Sequence, residues 1–112
     1  MSRVKHFERI RTTAEFNNIY SKATKVWHTP YFVLFYKEST GYNIGFVAGK
    51  KVGNAVHRNR AKRLLRALFI ANLPHLKKGD YVLVAKPALL KETFEVLSKT
   101  FDNTLKRSSL IL

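Results

Sequence analysis

The sequence predicts an α/β (α+β) sandwich, with helices packed on a mostly antiparallel sheet in the order α-β-β-β-α-β-α. Three observations predict it. VWHTPYFVLFYK, from Val26, is β-branched and aromatic, as strands are. Tyr42, Ile44, Phe46 and Ala48 alternate with Asn43, Gly45, Val47 and Gly49, the period of a strand. Two later segments, 55–72 and 91–106, carry apolar residues at helical spacing.

Residues 1–11 read as a basic arm. Thr12 to Glu15 has capping-box spacing, so the first helix begins there and ends near Ser21, with Phe16, Ile19 and Tyr20 on one face. Pro30 divides the next apolar run into a short strand and a longer one. A turn over Lys37 to Gly41 leads into the third strand, and the strands flanking that turn are expected to pair as an antiparallel hairpin. Asn54 is the expected N-cap of a helix from Ala55 to Asn72, which Pro74 stops. Lys77 to Gly79 is a turn, YVLVA (Tyr81 to Ala85) is the fourth strand, and Pro87 closes it. The last helix, about Lys91 to Lys106, carries the stripe Phe94, Leu97, Phe101 and Leu105.

With 112 residues, the chain fits one domain, taken as 1–112. It has no cysteine, which excludes disulfides, zinc thiolates and cysteine nucleophiles. MSRVKHFERI has no apolar run or cleavage signal, and no stretch approaches a membrane span. A cytoplasmic protein without a membrane partner is expected.

Charge is the informative quantity. There are 21 Lys and Arg against 7 Asp and Glu, a formal net charge of +14. Such an excess opposes compaction and favours a polyanionic partner. It is also unevenly placed: between Ser39 and Gly79 there are nine Lys and Arg and no acid. A surface needing only solubility mixes its signs.

GNAVHRNRAKRLLR, residues 53–66, concentrates the effect, with five Lys and Arg besides His57. At about 100° per residue, Ala61, Leu64, Leu65, Leu68 and Phe69 share one arc, and Asn59, Arg60, Lys62, Arg63 and Arg66 occupy the rest. The apolar arc docks on the sheet and holds the cations outward, so Leu64→Ala is expected to unfold the chain. Arg58 lies toward the apolar edge in the first turn, where cations oppose the helix dipole and a phosphate would reverse the penalty.

A strand precedes this helix, against a helix-turn-helix, and zinc fingers are impossible without cysteine. Tyr31, Phe32, Phe35, Tyr36, Tyr42 and Phe46 lie near the basic stretch, as in proteins that stack single-stranded RNA, although most such rings belong to the core. Phe16 and Tyr20 either anchor their short helix or line a groove beside it. No catalytic constellation is present. The four histidines lack metal spacing, there is no GxxxxGK[ST] or GxGxxG, and GKKVGN reads as a strand-to-helix turn. With so few acids, a two-metal nuclease site built by protein alone is not expected.

KKVGNAVHRNRAKRLLR resembles the signature of the bacterial ribonuclease P protein family. Arg58-Asn59-Arg60 followed by Lys62, Arg63 and Arg66, with Gly53, Asn54 and Ala55 before them, carry the resemblance. The helix with Phe16, the FVLF strand, GDYVLVAKP at 79–87 and the closing helix ending in Lys106-Arg107-Ser108-Ser109-Leu110 extend it.

The resemblance implies a ribosomal protein S5 domain 2-like fold with a left-handed βαβ crossover through the basic helix, the opposite of the general rule. It implies a subunit that joins a catalytic RNA and removes the 5′ leader of precursor tRNA by Mg2+-dependent hydrolysis. The catalytic core would lie in the RNA, with no catalytic residue in the protein alone and no DNA partner. Arg58, Asn59, Arg60, Lys62, Arg63 and Arg66 would face the catalytic RNA. Phe16, Tyr20 and Phe35 would line a cleft for the leader, with Lys50 and Lys51 at its basic end. Tyr20 departs from the phenylalanine common at its position. The main alternative is a non-enzymatic RNA-binding protein, ribosomal or chaperone-like.

Overall fold

The computed structural model describes residues 7–111. Its elements are β1 (Glu8–Arg9), α1 (Thr13–Lys22), β2 (Lys25–His28), β3 (Phe32–Lys37), β4 (Tyr42–Val47), α2 (Ala55–Asn72), β5 (Gly79–Ala85) and α3 (Phe94–Arg107), with 3-10 turns at Lys50–Val52, Leu73–His75 and Pro87–Lys91. The five strands form one sheet in the order β1-β4-β5-β3-β2. The α/β class and the seven predicted elements are present.

The local signals act as expected. Thr12 caps α1 through a complete capping box with Glu15, and Asn54 caps α2 by accepting from the His57 N–H at 3.1 Å. Thr93 caps α3, which starts three residues later than predicted because Pro87–Lys91 forms a separate 3-10 turn.

Three expectations need correction. The flanks of the Lys37–Gly41 turn do not pair. β5 lies between β3 and β4, antiparallel to the first and parallel to the second. The reason is burial: Tyr81, Val82, Leu83 and Ala85 are all buried, and only a central strand with both faces covered can bury adjacent residues. The sheet is therefore not mostly antiparallel, since two of its four pairings are parallel: β1 with β4 and β4 with β5. Finally, the arm predicted over 1–11 contains β1, with Glu8 opposite Asn43 and Arg9 opposite Ile44. A two-residue strand of charged residues has no periodicity to read. Phe7 and Ile10 secure it from either side, Phe7 edge-on to Phe69 at 5.6 Å. Residues 1–6 of that arm lie outside the described residues.

The sheet is covered unequally. α2 and α3 pack on one face around Phe32, Leu34, Tyr36, Ile44, Phe46, Tyr81 and Leu83. On the other face the smaller α1 packs through Ile19 against Val82, with Phe16, Phe35, Val47 and Val84 around them. The large core therefore fixes α2, and the small one leaves part of a sheet face open.

The anchors of α2 are Ala61, Leu65, Leu68 and Phe69, each 0% exposed, whereas Leu64 is half-buried at the core's margin. The leucine on which folding depends is thus Leu65, not Leu64. Leu65→Ala is expected to cost about 2–5 kcal/mol, and Leu64→Ala clearly less, as read from urea unfolding midpoints. Equal losses would mean that the two leucines share the anchoring.

Candidate nucleic-acid interface

The basic face of α2 is a rigid surface because of how its start is built. Gly53, at φ 143°, turns the chain out of the Lys50–Val52 turn in a conformation that side chains disfavour. Asn54 then caps the helix, and no acid stands in the first turn. Asn59, Arg60, Lys62, Arg63 and Arg66 are exposed, while Arg58 is half-buried, as its position near the apolar edge implied. Among the described residues the ion pairs are Lys37–Asp80, Lys99–Glu95 and Lys106–Asp102, and none involves an α2 cation.

The three predicted cleft aromatics come together. Phe16 and Tyr20 project from α1, one turn apart, with ring centres 6.3 Å apart. Tyr20 meets Phe35 of β3 edge-on at 4.8 Å. The Phe16 ring lies on the sheet at Gly45, where an added Cβ would fall 2.8 Å from Phe16 Cζ. Tyr20 is 37% exposed, and burial of the rest pushes its phenol up, so the hydroxyl stays neutral and can donate.

β1 pairs only with Asn43 and Ile44, so Phe46 and Val47 of β4 continue past its end. At that edge a pocket of about 380 Å³ opens between the two helical layers. Thr13, Phe16, Asn17 and Tyr20 of α1, Phe46 to Ala48, and Lys62 of α2 line it. Lys62 was read from sequence with the outward cations, and the structure also places it in the wall of the pocket that Phe16 and Tyr20 line. Thr13 and Asn17 were missed, because isolated polar residues on a short helix give no pattern to read.

Lys50 and Lys51 are exposed in the turn after β4. Lys51 does not line the aromatic pocket. It lines a second one, of about 400 Å³, with Val52, His57, Arg60, Pro87, Leu90 and Lys91. Each pocket thus joins a cation of the α2 motif to residues from elsewhere in the chain.

The carboxylates do not assemble a hard-metal site. Among the described residues no three His, Asp or Glu side chains gather to hold a metal ion. Glu15 and Asp80 line one pocket beside α1, but both are engaged. Asp80 accepts from the Asn43 amide at 2.7 Å, and hydrogen bonds from Thr12 hold the Glu15 carboxyl below its ordinary range. Among the described residues, therefore, no set of side chains fits a magnesium ion that takes several oxygen ligands.

A sequence model of the Ribonuclease P family matches residues 4–109. The ribonuclease P protein component of a Nitratiruptor species is 46% identical over 104 residues, spanning 93% of this chain and 94% of that protein. The corresponding component of Syntrophomonas wolfei is 36% identical, over 91% of this chain and 87% of its own. Among solved structures, the RNase P protein of Staphylococcus aureus superposes with a TM-score of 0.82 at 26% identity, over 93% of this chain and 97% of that one. The RNase P protein from Thermotoga maritima gives 0.77 at 29% identity, over 89% and 96%.

The seat of Phe16 supplies a test of the cleft. Gly45→Ala should strain the α1–sheet contact by about 1–3 kcal/mol, seen as a lowered unfolding midpoint. Gly41→Ala, with nothing within 4 Å of its added Cβ, should be nearly neutral. Equal midpoints for the two variants would mean that Phe16 does not rest on the sheet at Gly45.

Proposed function

The chain belongs to the ribonuclease P protein family, and we propose that it acts as the protein subunit of that endoribonuclease, in tRNA processing. Its partner is the ribonuclease P RNA. The substrate is precursor tRNA, cut to release the 5′ leader, with the catalytic core and its Mg2+ on the RNA. The setting is the cytoplasm, and duplex DNA is not a partner. The observation that carries this reading is Lys62, which stands in the single-sign cationic face of α2 and in the wall of the aromatic pocket at once.

The roles follow from physical chemistry. Arg58, Arg60, Arg63 and Arg66 offer planar forks that match phosphate oxygens, and Asn59 adds a neutral donor and acceptor. These residues face the catalytic RNA. Phe16, Tyr20 and Phe35 give leader bases a stacking surface, sequence-tolerant because every base has a π-face. Lys62 holds the leader backbone beside those rings. Lys50 and Lys51 extend the positive field past the end of β4. Because helix and sheet are fixed by the large core, the two surfaces stay in register without ordering cost at the moment of binding.

A non-enzymatic RNA-binding role needs the same charge, but neither the family nor the pairing of the two surfaces favours it. The deciding experiment is cleavage of a precursor tRNA at low magnesium by a bacterial ribonuclease P RNA, with the protein, without it, and with the protein alone. Cleavage at the mature 5′ end only when both are present is the expected result. A folded protein that binds the RNA and adds nothing to cleavage would reverse the assignment.

Two variants refine it. Arg60→Ala should weaken assembly with the RNA about tenfold or more, the worth of a charge-assisted hydrogen bond. Tyr20→Ala should cost about 1–3 kcal/mol of stacking on substrates with long leaders and little on those with short ones. Leader-length dependence that survives in folded Tyr20→Ala would remove the tyrosine from the cleft.

A further inference from the structure

The register of the sheet shows how α1 lies on it. Phe16 rests at Gly45, Ile19 packs on Val82 and Tyr20 meets Phe35. Gly45, Val82 and Phe35 stand side by side on β4, β5 and β3, and Val26 of β2 is next in the same row. α1 therefore runs across the strands rather than along them, and it divides this face of the sheet into two flanks.

The flanks differ in chemistry. Side chains alternate between faces along a strand, so the neighbouring rows on this face lie two residues away. On one flank the row is Asn43, Asp80 and Lys37, tied together by the Asn43–Asp80 hydrogen bond and the Lys37–Asp80 ion pair. Glu15 of α1 faces the same side, since it lines one pocket with Asn43 and Asp80. On the other flank the row is Val47, Val84, Val33 and His28, one residue from each of β4, β5, β3 and β2. The three valines are half-buried, and no carboxylate stands in the row. This floor is continuous with the aromatic pocket, which Val47 also lines. It ends at the edge strand β2, where His28 is exposed and Val26, beside Phe35, is 45% exposed.

We propose that the leader runs along this valine row, parallel to α1, and that the ring of His28 stacks the outermost base the protein holds. The inference rests on the reading of the aromatic pocket as a leader site and extends it past Phe35 to the edge of the sheet. The catalytic RNA is met at α2, so the leader enters beside Lys62 and leaves at β2. An apolar floor suits base faces, whose stacking needs no particular sequence. Phosphates on this flank meet Lys62 and no carboxylate, whereas the other flank would set them against Glu15 and Asp80. An exposed imidazole at the end of the row is a stacking partner of the kind that unpaired RNA bases use. Strands lie about 4.8 Å apart, so the row from Val47 to His28 measures roughly 14 Å. A leader must therefore extend one strand farther to reach His28 than to reach Tyr20 beside Phe35.

The test is the binding of precursor tRNAs whose leaders are shortened one nucleotide at a time, by the full chain assembled with a bacterial ribonuclease P RNA. His28→Ala should lose about fivefold or more in affinity on the longest leaders, and nothing on short ones. The loss should set in at a longer leader than the loss in Tyr20→Ala, with melting curves confirming that both variants fold. A second readout follows the path itself. The chain has no cysteine, so a photo-crosslinker can be carried by His28→Cys, or by Asn18→Cys on the opposite flank. The leader should be captured from position 28 and not from position 18. Wild-type affinity at every leader length in His28→Ala, or capture from position 18 instead of 28, overturns the proposal. A wild type without any leader-length dependence would instead count against the leader site itself, and the path along the valines would fall with it.

Discussion

The double pairing of β5 constrains the rest of the molecule: Leu83 stands opposite Leu34 of β3 on one side and Phe46 of β4 on the other. A strand buried on both faces and paired on both edges is a poor place for any polar group, and this one is nearly continuous apolar sequence. Because β4 and β5 run parallel, the chain between them must cross the sheet, and parallel neighbours need a crossover of a dozen residues or more. α2 is that crossover. It carries the cationic motif and also packs four fully buried side chains into the large core. The helix cannot shift to suit a ligand without disturbing the sheet's centre. Three tyrosines secure the approach to β5: Tyr36, Tyr42 and Tyr81 donate to the carbonyls of Lys78, Leu76 and Lys77.

Rigidity matters because the charges it organises do not favour one another. Two like charges about 4 Å apart in water cost roughly 1 kcal/mol, and more near a protein surface. α2 accepts that repulsion along most of its exposed circumference, without a carboxylate in its sequence. α3 shows the contrasting arrangement, with Glu95–Lys99 and Asp102–Lys106 pairs one turn apart on its exposed side. One helix mixes its signs where it meets solvent, and the other keeps a single sign where a polyanion is to be met. The cost in the free protein becomes a gain in the complex, since each phosphate neutralises a charge that the fold left unneutralised.

The helices and the caps of α1 and α2 were legible because they rest on local chemistry: Thr12 with Glu15, Asn54 with His57, and the recurrence from Ala61 to Phe69; the Thr93 cap of α3 was not, and Phe94 of its expected stripe is exposed. The resemblance grouped Phe16, Tyr20 and Phe35, and their rings do stand next to one another, although Phe35 does not line the pocket. Pairing partners were not legible. Strand order is decided by competition among β3, β4 and β5 for the buried centre, and a short turn between β3 and β4 suggests a hairpin whether or not a later strand displaces it. β1 was hidden because its two residues are Glu and Arg, and only its parallel pairing with β4 makes it a strand. The difference between Leu64 and Leu65 was hidden too: neighbouring positions 100° apart can share an apolar arc while one alone faces the core. For the same reason the sequence placed Lys62 and Lys51 on their elements without showing which pocket each lines.

The acids complete the physical picture. Asp80 is taken by Asn43 and Lys37, Glu15 by Thr12, Glu92 by Tyr31, and Glu95 and Asp102 by lysines of their own helix. Five of the seven acids in the chain are thus engaged at element ends or on α3, away from α2. Such a distribution leaves these five carboxylates dispersed rather than gathered around a metal, and none of them lies on the basic helix. What the protein can do is hold a fixed positive potential and an aromatic surface at a set distance from each other. An RNA partner brings the complementary inventory: dense negative charge that binds metal ions, and bases that stack. The two surfaces meet at Lys62, where the edge of the sheet leaves β4 uncovered beyond β1, and the folding constraint at β5 becomes the geometry available for recognition.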